Sequence, residues 1–131
     1  MIRLHPEMQK MTNYNYIAID VVTELQHKIN ALEQKGANQL LIDPGFGFAK
    51  TLDQNYQLLK HINVFEQFTY PLLVGFSRKS MIYKKLGINP EEALNGTTVL
   101  NTIALLSGAK ILRVHDSLEA KQTIDLLNAL K

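Results

Sequence analysis

Gln39-Leu40-Leu41-Ile42-Asp43-Pro44-Gly45 is a short apolar run that breaks on an acid, a proline and a glycine. It is too short for an amphipathic helix and shows no alternation, so it suits a strand buried on both faces. Pro44 and Gly45 end it. Two later stretches repeat the pattern. Pro71 introduces Leu72-Leu73-Val74-Gly75, and Lys110-Ile111-Leu112-Arg113-Val114 follows.

The segments around these runs have helical period. Val22, Leu25, Ile29 and Leu32 recur at spacings of three and four, which predicts a helix from Tyr16 to Lys35 with Gly36 as its stop. Thr51 with Gln54 fits a capping box opening a second helix that runs to about His61. After the second run, a loop from Phe76 to Ser80 leads to a short helix at Met81 to Leu86. Asn89, Pro90 and Glu92 form another start signal. Asn95-Gly96 is expected to interrupt that helix before Thr97 to Leu106 resumes it and Gly108 stops it. Asp116 and Glu119 are expected to cap a last helix with Ala120, Ile124 and Leu127 on its apolar side.

The order α-β-α-β-α-β-α means parallel strands joined by right-handed crossovers. An open parallel sheet and part of a (β/α)8 barrel both fit.

Composition narrows the class. The 131 residues allow one domain, 46% apolar and 20% charged. The formal net charge is +2 with both signs interspersed, so no footprint for nucleic acid is expected. There is no cysteine, which excludes disulfides, thiolate chemistry and cysteine-held zinc. No apolar run suggests a membrane span, and Met1-Ile2-Arg3-Leu4-His5-Pro6 lacks the apolar region of a signal peptide. A cytoplasmic soluble protein is the expectation.

The chemistry gathers where the strands end, which is where parallel α/β folds place ligands. Asp43 follows three apolar residues. Its carboxylate could accept paired hydrogen bonds from an amino-amidine edge, or could satisfy turn amides before Pro44. In Gly45-Phe46-Gly47-Phe48, Phe48 could pack on a flat ligand, whereas Phe46 reads as a loop anchor. Lys50 reads as exposed and solvated. Ser77-Arg78-Lys79-Ser80 sets two cations and two hydroxyls before a helix. That suits a carboxylate or phosphate, or is a solvated basic loop. Arg113 interrupts an apolar run on the face opposite Leu112 and Val114, with His115 two residues on. If that face points inward, Arg113 must pair or bind a ligand. With His115 it would suit a phosphate or pyrophosphate, and an internal salt bridge to Asp43 is the alternative. His5, His27 and His61 lack ligand-like spacing, and His27 and His61 read as exposed helix residues.

These three motifs, in this order, resemble dihydropteroate synthases from about Gln9 to Leu130. Leu94-Asn95-Gly96-Thr97-Thr98-Val99-Leu100-Asn101-Thr102 looks like the bacterial enzymes. The resemblance implies an α/β fold, the C-terminal half of a (β/α)8 TIM barrel: about three parallel strands, the sixth to eighth, with four helices. It implies a transferase of folate biosynthesis. The family's enzymes join p-aminobenzoate to a dihydropterin pyrophosphate, release pyrophosphate and are the target of sulfonamides. By this resemblance Asp43 would hold the pterin's amino-pyrimidine edge, and Lys79 the ring's polar atoms. Arg113 would lie along the ring and meet the leaving diphosphate with His115. Phe48 and Ser77 would help form the p-aminobenzoate site, and Gly75 would let the backbone approach.

The chain also departs from the family. A whole barrel takes about 250 residues. The first four βα units are missing, and with them the magnesium loop and two further pterin ligands. Met1 to Pro6 does not match the usual end of strand five. The expectation is a half-barrel that is inactive alone and needs its N-terminal half, from an enzyme that works as a homodimer. Two other readings stand beside it: a non-catalytic interaction or dimerisation remnant, and a methyltetrahydrofolate methyltransferase barrel. The Ser77-Arg78-Lys79 loop and the Arg113/His115 pair disfavour the methyltransferase, whose chemistry has no diphosphate leaving group.

Overall fold

A computed structural model describes residues 16–131. The readings of Met1 to Pro6, of His5 and of the start of the resemblance at Gln9 lie outside the described residues. The helices are α1 (Tyr16–Gln34), α2 (Leu52–Lys60), α3 (Ser80–Leu86), α4 (Leu94–Leu106) and α5 (Ser117–Asn128), with 3-10 turns at Ile62–Gln67 and Pro90–Glu92. The strands are β1 (Leu73–Val74) and β2 (Ile111–Leu112).

The sheet follows the sequence order. β1 pairs with β2 in parallel, Leu73 opposite Ile111 and Val74 opposite Leu112. Ile42 joins the other side of β1 through a parallel bridge to Leu72. The Ile42 amide donates to Pro71 O at 2.9 Å, and the Leu73 amide donates to Ile42 O at 2.7 Å. Neighbours in space are thus neighbours in sequence, the arrangement of a barrel wall.

Period two then sorts the side chains. Ile42, Leu72 and Val74 are buried in one cluster with Val22, Leu58, Ile82, Leu100 and Ala104 from the helices. Leu41 and Arg113 stand on the opposite face, and Leu41 is 58% exposed. The expectation of a first strand buried on both faces is therefore corrected. Helices cover one face only, and the other is the face that the rest of a barrel would cover. Among the described residues neither the Ile42 segment nor β2 has a further strand beside it.

Local signals mostly act as their chemistry dictates. The Thr51 hydroxyl accepts from the Gln54 amide at 3.1 Å, and Gln54 Oε1 accepts from the Thr51 amide at 2.9 Å. Gly36 and Gly108 end their helices with φ of 94° and 114°. Leu32, by contrast, is 43% exposed, so the buried stripe of α1 is Ala18, Val22 and Ile29.

The second crossover holds the short helix and the longer one that the sequence predicts, so five α-helices are described against the four of the half-barrel expectation. One expectation fails there: α4 runs unbroken through Asn95-Gly96. Glycine weakens a helix by about 1 kcal/mol relative to alanine. Here a Cβ on Gly96 would overlap the Ile82 side chain of α3. Close approach of the two helices, not chain reversal, is what requires the glycine. Gly96→Ala is expected to destabilise the chain by about 1–3 kcal/mol through overpacking, despite its better helix propensity. Urea unfolding checks this, and a stabilised variant would refute it.

Candidate functional site

The loop after Ile42 divides its two aromatic rings. Gly45 and Gly47 have φ of 76° and 87°, and Ala49 joins them in left-handed backbone at 51°. This winding turns Phe46 inward, 1% exposed, and Phe48 outward, 63% exposed. Phe46 packs on Phe76 with ring centroids 4.7 Å apart, as a loop anchor should. Lys50 is not solvated as expected. Its Nζ donates to Gly45 O at 2.7 Å and to Phe48 O at 3.1 Å, and its burial lowers its pKa.

Sequence reasoning missed Asn55. It is buried on α2, accepts from the Gly47 amide through Oδ1 at 2.8 Å and donates to Thr51 O at 3.1 Å. The signal was present: Asn55 occupies a position on the stripe that continues with Leu58, Leu59 and Ile62. His61 also differs from expectation, for its Nε2 is buried. His27 is exposed as expected.

Asp43 satisfies a turn amide and also makes the salt bridge to Arg113. Oδ1 accepts from the Gly45 amide at 2.8 Å, and Oδ2 accepts from Arg113 Nη1 at 3.0 Å. Arg113 crosses β1 to reach it, and Gly75 makes the crossing possible. A Cβ at Gly75 would lie 2.9 Å from Arg113 Nη2 and 3.2 Å from Nε. The space that the resemblance reserves for a ligand is taken by this guanidinium. The side chains of Arg113 and Asp43 are 52% and 36% exposed. Such a pair contributes about 0–1 kcal/mol, so a ligand can displace it at little cost.

Lys79 reaches the same place from the next loop. Its Nζ donates to Phe46 O at 2.7 Å and lies 5.1 Å from the centre of the Phe48 ring. Burial lowers its pKa; the Arg113 and Lys50 charges add to this, and Asp43 opposes it. A base depressed in the folded state leaves the unfolded chain binding more protons between the two pKa values, so stability rises with pH across that window. Lys79→Met should remove this gain between the depressed value and the ordinary lysine value of 10.5. Melting curves of both proteins across that range check it, and parallel curves would refute it.

Ser77 and His115 meet through the backbone: the His115 amide donates to Ser77 Oγ at 3.0 Å. The His115 ring is on an exposed residue. Arg78 fits neither reading of its loop, being neither free for an anion nor solvated. Its Nε and Nη2 donate to the two oxygens of Asp116, each at 3.0 Å, and Nη1 donates to Pro90 O and Glu91 O. Asp116 holds the N-cap position of α5 without a side-chain cap bond, because its carboxylate is spent on Arg78. That bond holds its carboxyl below the usual range.

The structure thus brings Asp43, Gly75, Lys79 and Arg113 together, sets Phe48 beside Lys79, and ties Ser77 to His115. Among the described residues no three of His, Cys, Asp and Glu gather as a metal would require. Asp43 already faces Arg113, so these residues do not fit a magnesium site. Nor is any described helix long and apolar enough to cross a membrane.

Residues 1–115 match the pterin binding enzyme family. Dihydropteroate synthase of Escherichia coli K12 is 40% identical over 126 residues, covering 95% of this chain and 44% of the relative. The structure of the Yersinia pestis enzyme with a pterine-sulfa conjugate superimposes with a TM-score of 0.85 at 40% identity, over 92% of this chain and 48% of that one. The Xanthomonas albilineans enzyme with 4-aminobenzoic acid gives 0.85 at 34% identity, over 91% and 45%. The chain spans less than half the length of these relatives. A barrel wall with its charged side chains at the C-terminal strand ends, on a sequence that matches over most of its length, places this chain in the pterin-binding enzyme family, in the likeness of the C-terminal half of a bacterial dihydropteroate synthase.

Proposed function

We propose that this chain supplies the pterin- and p-aminobenzoate-binding wall of a dihydropteroate synthase. The observation that carries the reading is the reach of Arg113 across Gly75 to Asp43 at 3.0 Å, with Lys79 beside them. An acid and two cations converge on a sheet face that no described element covers. A flat ligand with an N–H-rich edge can take Asp43 from Arg113, and the displaced guanidinium then meets the ligand's anionic end.

In this reading the Asp43 carboxylate accepts the paired N–H bonds of the amino-pyrimidine edge, and Lys79 donates to the ring's polar atoms. Arg113 lies along the ring and meets the diphosphate with His115, while Phe48 and Ser77 flank the p-aminobenzoate that a sulfonamide would mimic. The amine nitrogen forms a bond to the hydroxymethyl carbon as the carbon–oxygen bond to pyrophosphate breaks, and the amine then loses a proton. What the protein supplies is alignment and charge on the leaving group, without a strong base. The magnesium loop belongs to the N-terminal half-barrel, and turnover needs that half. The exposed Val99, Ile103 and Leu106 of α4 and Ile124 and Leu126 of α5 support pairing of two complete barrels through these helices. A cytoplasmic setting fits the small polar substrates.

Titration calorimetry with dihydropterin pyrophosphate, on this chain alone and with an N-terminal half-barrel added, tests the proposal. Binding that strengthens with the added half, together with formation of dihydropteroate, supports it, and absence of binding in both overturns it. Asp43→Asn should weaken pterin binding by about 1.5–3 kcal/mol, the size of a hydrogen bond to a charged group. It should leave discrimination between p-aminobenzoate and sulfonamide unchanged. Normal pterin affinity with lost discrimination would refute the assignment.

A further inference from the structure

Arg78 is the one cation of the Ser77-Arg78-Lys79-Ser80 motif that the proposed chemistry does not use. We propose that Arg78 is a positioning residue: it locks the loop after β1 to the loop after β2, and so fixes where Arg113 and His115 present themselves to a diphosphate. The inference rests on the reading under Proposed function and extends it to a residue that touches no substrate.

Three observations carry it. The two loops are joined by adjacent rungs. The His115 amide bonds to the Ser77 hydroxyl at 3.0 Å, and the Asp116 carboxylate takes both arms of the Arg78 fork at 3.0 Å each. The rest of the guanidinium is held at the Pro90 and Glu91 carbonyls, at 3.2 and 2.8 Å, which ties both loops to the turn before α4. Finally, Arg78 has φ of 53°, left-handed backbone that a residue with a Cβ adopts at a cost. Its amide is fixed there by Thr97 Oγ1 at 3.0 Å, while the Thr97 hydroxyl donates to Ala93 O at 2.8 Å. A loop that needed only a turn would be served by glycine at this position. The strain is sustained where the side chain can reach Asp116, and a lysine lacks the planar fork that meets two carboxylate oxygens at once.

The left-handed backbone supplies a test that separates positioning from mere stability. Arg78→Gly removes the fork but relieves the strain, whereas Arg78→Ala removes the fork and keeps the strain. Melting temperature should therefore fall less in the glycine variant. Inorganic pyrophosphate and a hydroxymethylpterin without diphosphate serve as probes of the purified chain. Pyrophosphate affinity should fall about tenfold or more in the Ala, Gly and Lys variants alike, the scale of one misplaced charge-assisted bond. Affinity for the diphosphate-free pterin should stay within about twofold, because Asp43 shares no partner with Arg78. Pyrophosphate affinity that tracks melting temperature, a parallel loss of both ligands, or rescue by lysine would each overturn the inference.

Wild-type chain that binds neither probe, alone or with an N-terminal half-barrel added, would sink the proposed function, and amide hydrogen exchange would still judge the lock. Exchange at the His115 amide should quicken by about tenfold in Arg78→Gly while the Leu73 amide, which bonds Ile42 inside the sheet, keeps its rate. An unchanged His115 rate overturns the positioning role.

Discussion

Arg113→Ala, in a barrel completed by its other half, is expected to weaken binding of the diphosphate-bearing pterin by about 2–5 kcal/mol, roughly thirty- to several-thousand-fold. Little of this comes from the ion pair in the ligand-free chain. That pair is half-exposed on the arginine side, and an exposed pair contributes about 0–1 kcal/mol. Folding stability should therefore barely move. The large effect arises when a ligand and the opposite wall exclude water from the guanidinium, so that its contact with a diphosphate is made where the dielectric is low. Asp43 supplies a control. Without Arg113 its carboxylate keeps the Gly45 amide and loses its competitor, which offsets the lost ring contact, so a pterin lacking the diphosphate should lose far less affinity than the diphosphate substrate. Calorimetry with both ligands measures the two expectations. An unchanged constant for the diphosphate substrate would contradict the role of Arg113, and equal losses for both ligands would mean that it acts on the ring alone.

The sequence announced Arg113 because a charge inside an apolar strand needs a reason, and it announced both possible reasons. The structure shows the first of them, a pair with Asp43 that the guanidinium makes by reaching over Gly75. The strands, the Thr51 capping box and the helix stops at Gly36 and Gly108 were legible because each is a local pattern of a few residues. What was not legible depends on neighbours distant in sequence. Gly96 looked like a break because nothing nearby in the chain reveals that Ile82 packs there. Asp116 looked like a cap until Arg78, 38 residues earlier, took its carboxylate. Leu41 looked like core because the run cannot show that helices cover only one of its faces. Asn55 could have been found, since a polar residue on a buried helical stripe must satisfy its amide within the fold. Its partner, the backbone of Gly47, carries no mark in the sequence.

Phe46→Ala is expected to cost about 3–5 kcal/mol of folding stability, the range for removing a buried aromatic ring. The ring is 1% exposed and rests on Phe76, which is fully buried. Its loss leaves a cavity that the left-handed loop above cannot refill, because Gly45, Gly47 and Ala49 have no side chain long enough to reach it. Domains of this size are held by about 5–15 kcal/mol in total, so the variant would lie near the edge of folding. Phe48 provides the contrast within the same loop. It is 63% exposed and its described ring contact is with the Lys79 ammonium, so Phe48→Ala should cost no more than about 1 kcal/mol. Urea unfolding of both variants, with equal slopes, checks the pair, and equal destabilisation would show that the loop does not divide its rings between core and ligand. The division has a functional consequence. The carbonyl that fixes Lys79 belongs to Phe46, so the residue anchoring the loop also aims the cation. A milder change such as Phe46→Leu, which keeps the chain folded, should loosen Lys79 and weaken pterin binding even though Phe46 presents no side-chain atom to the site.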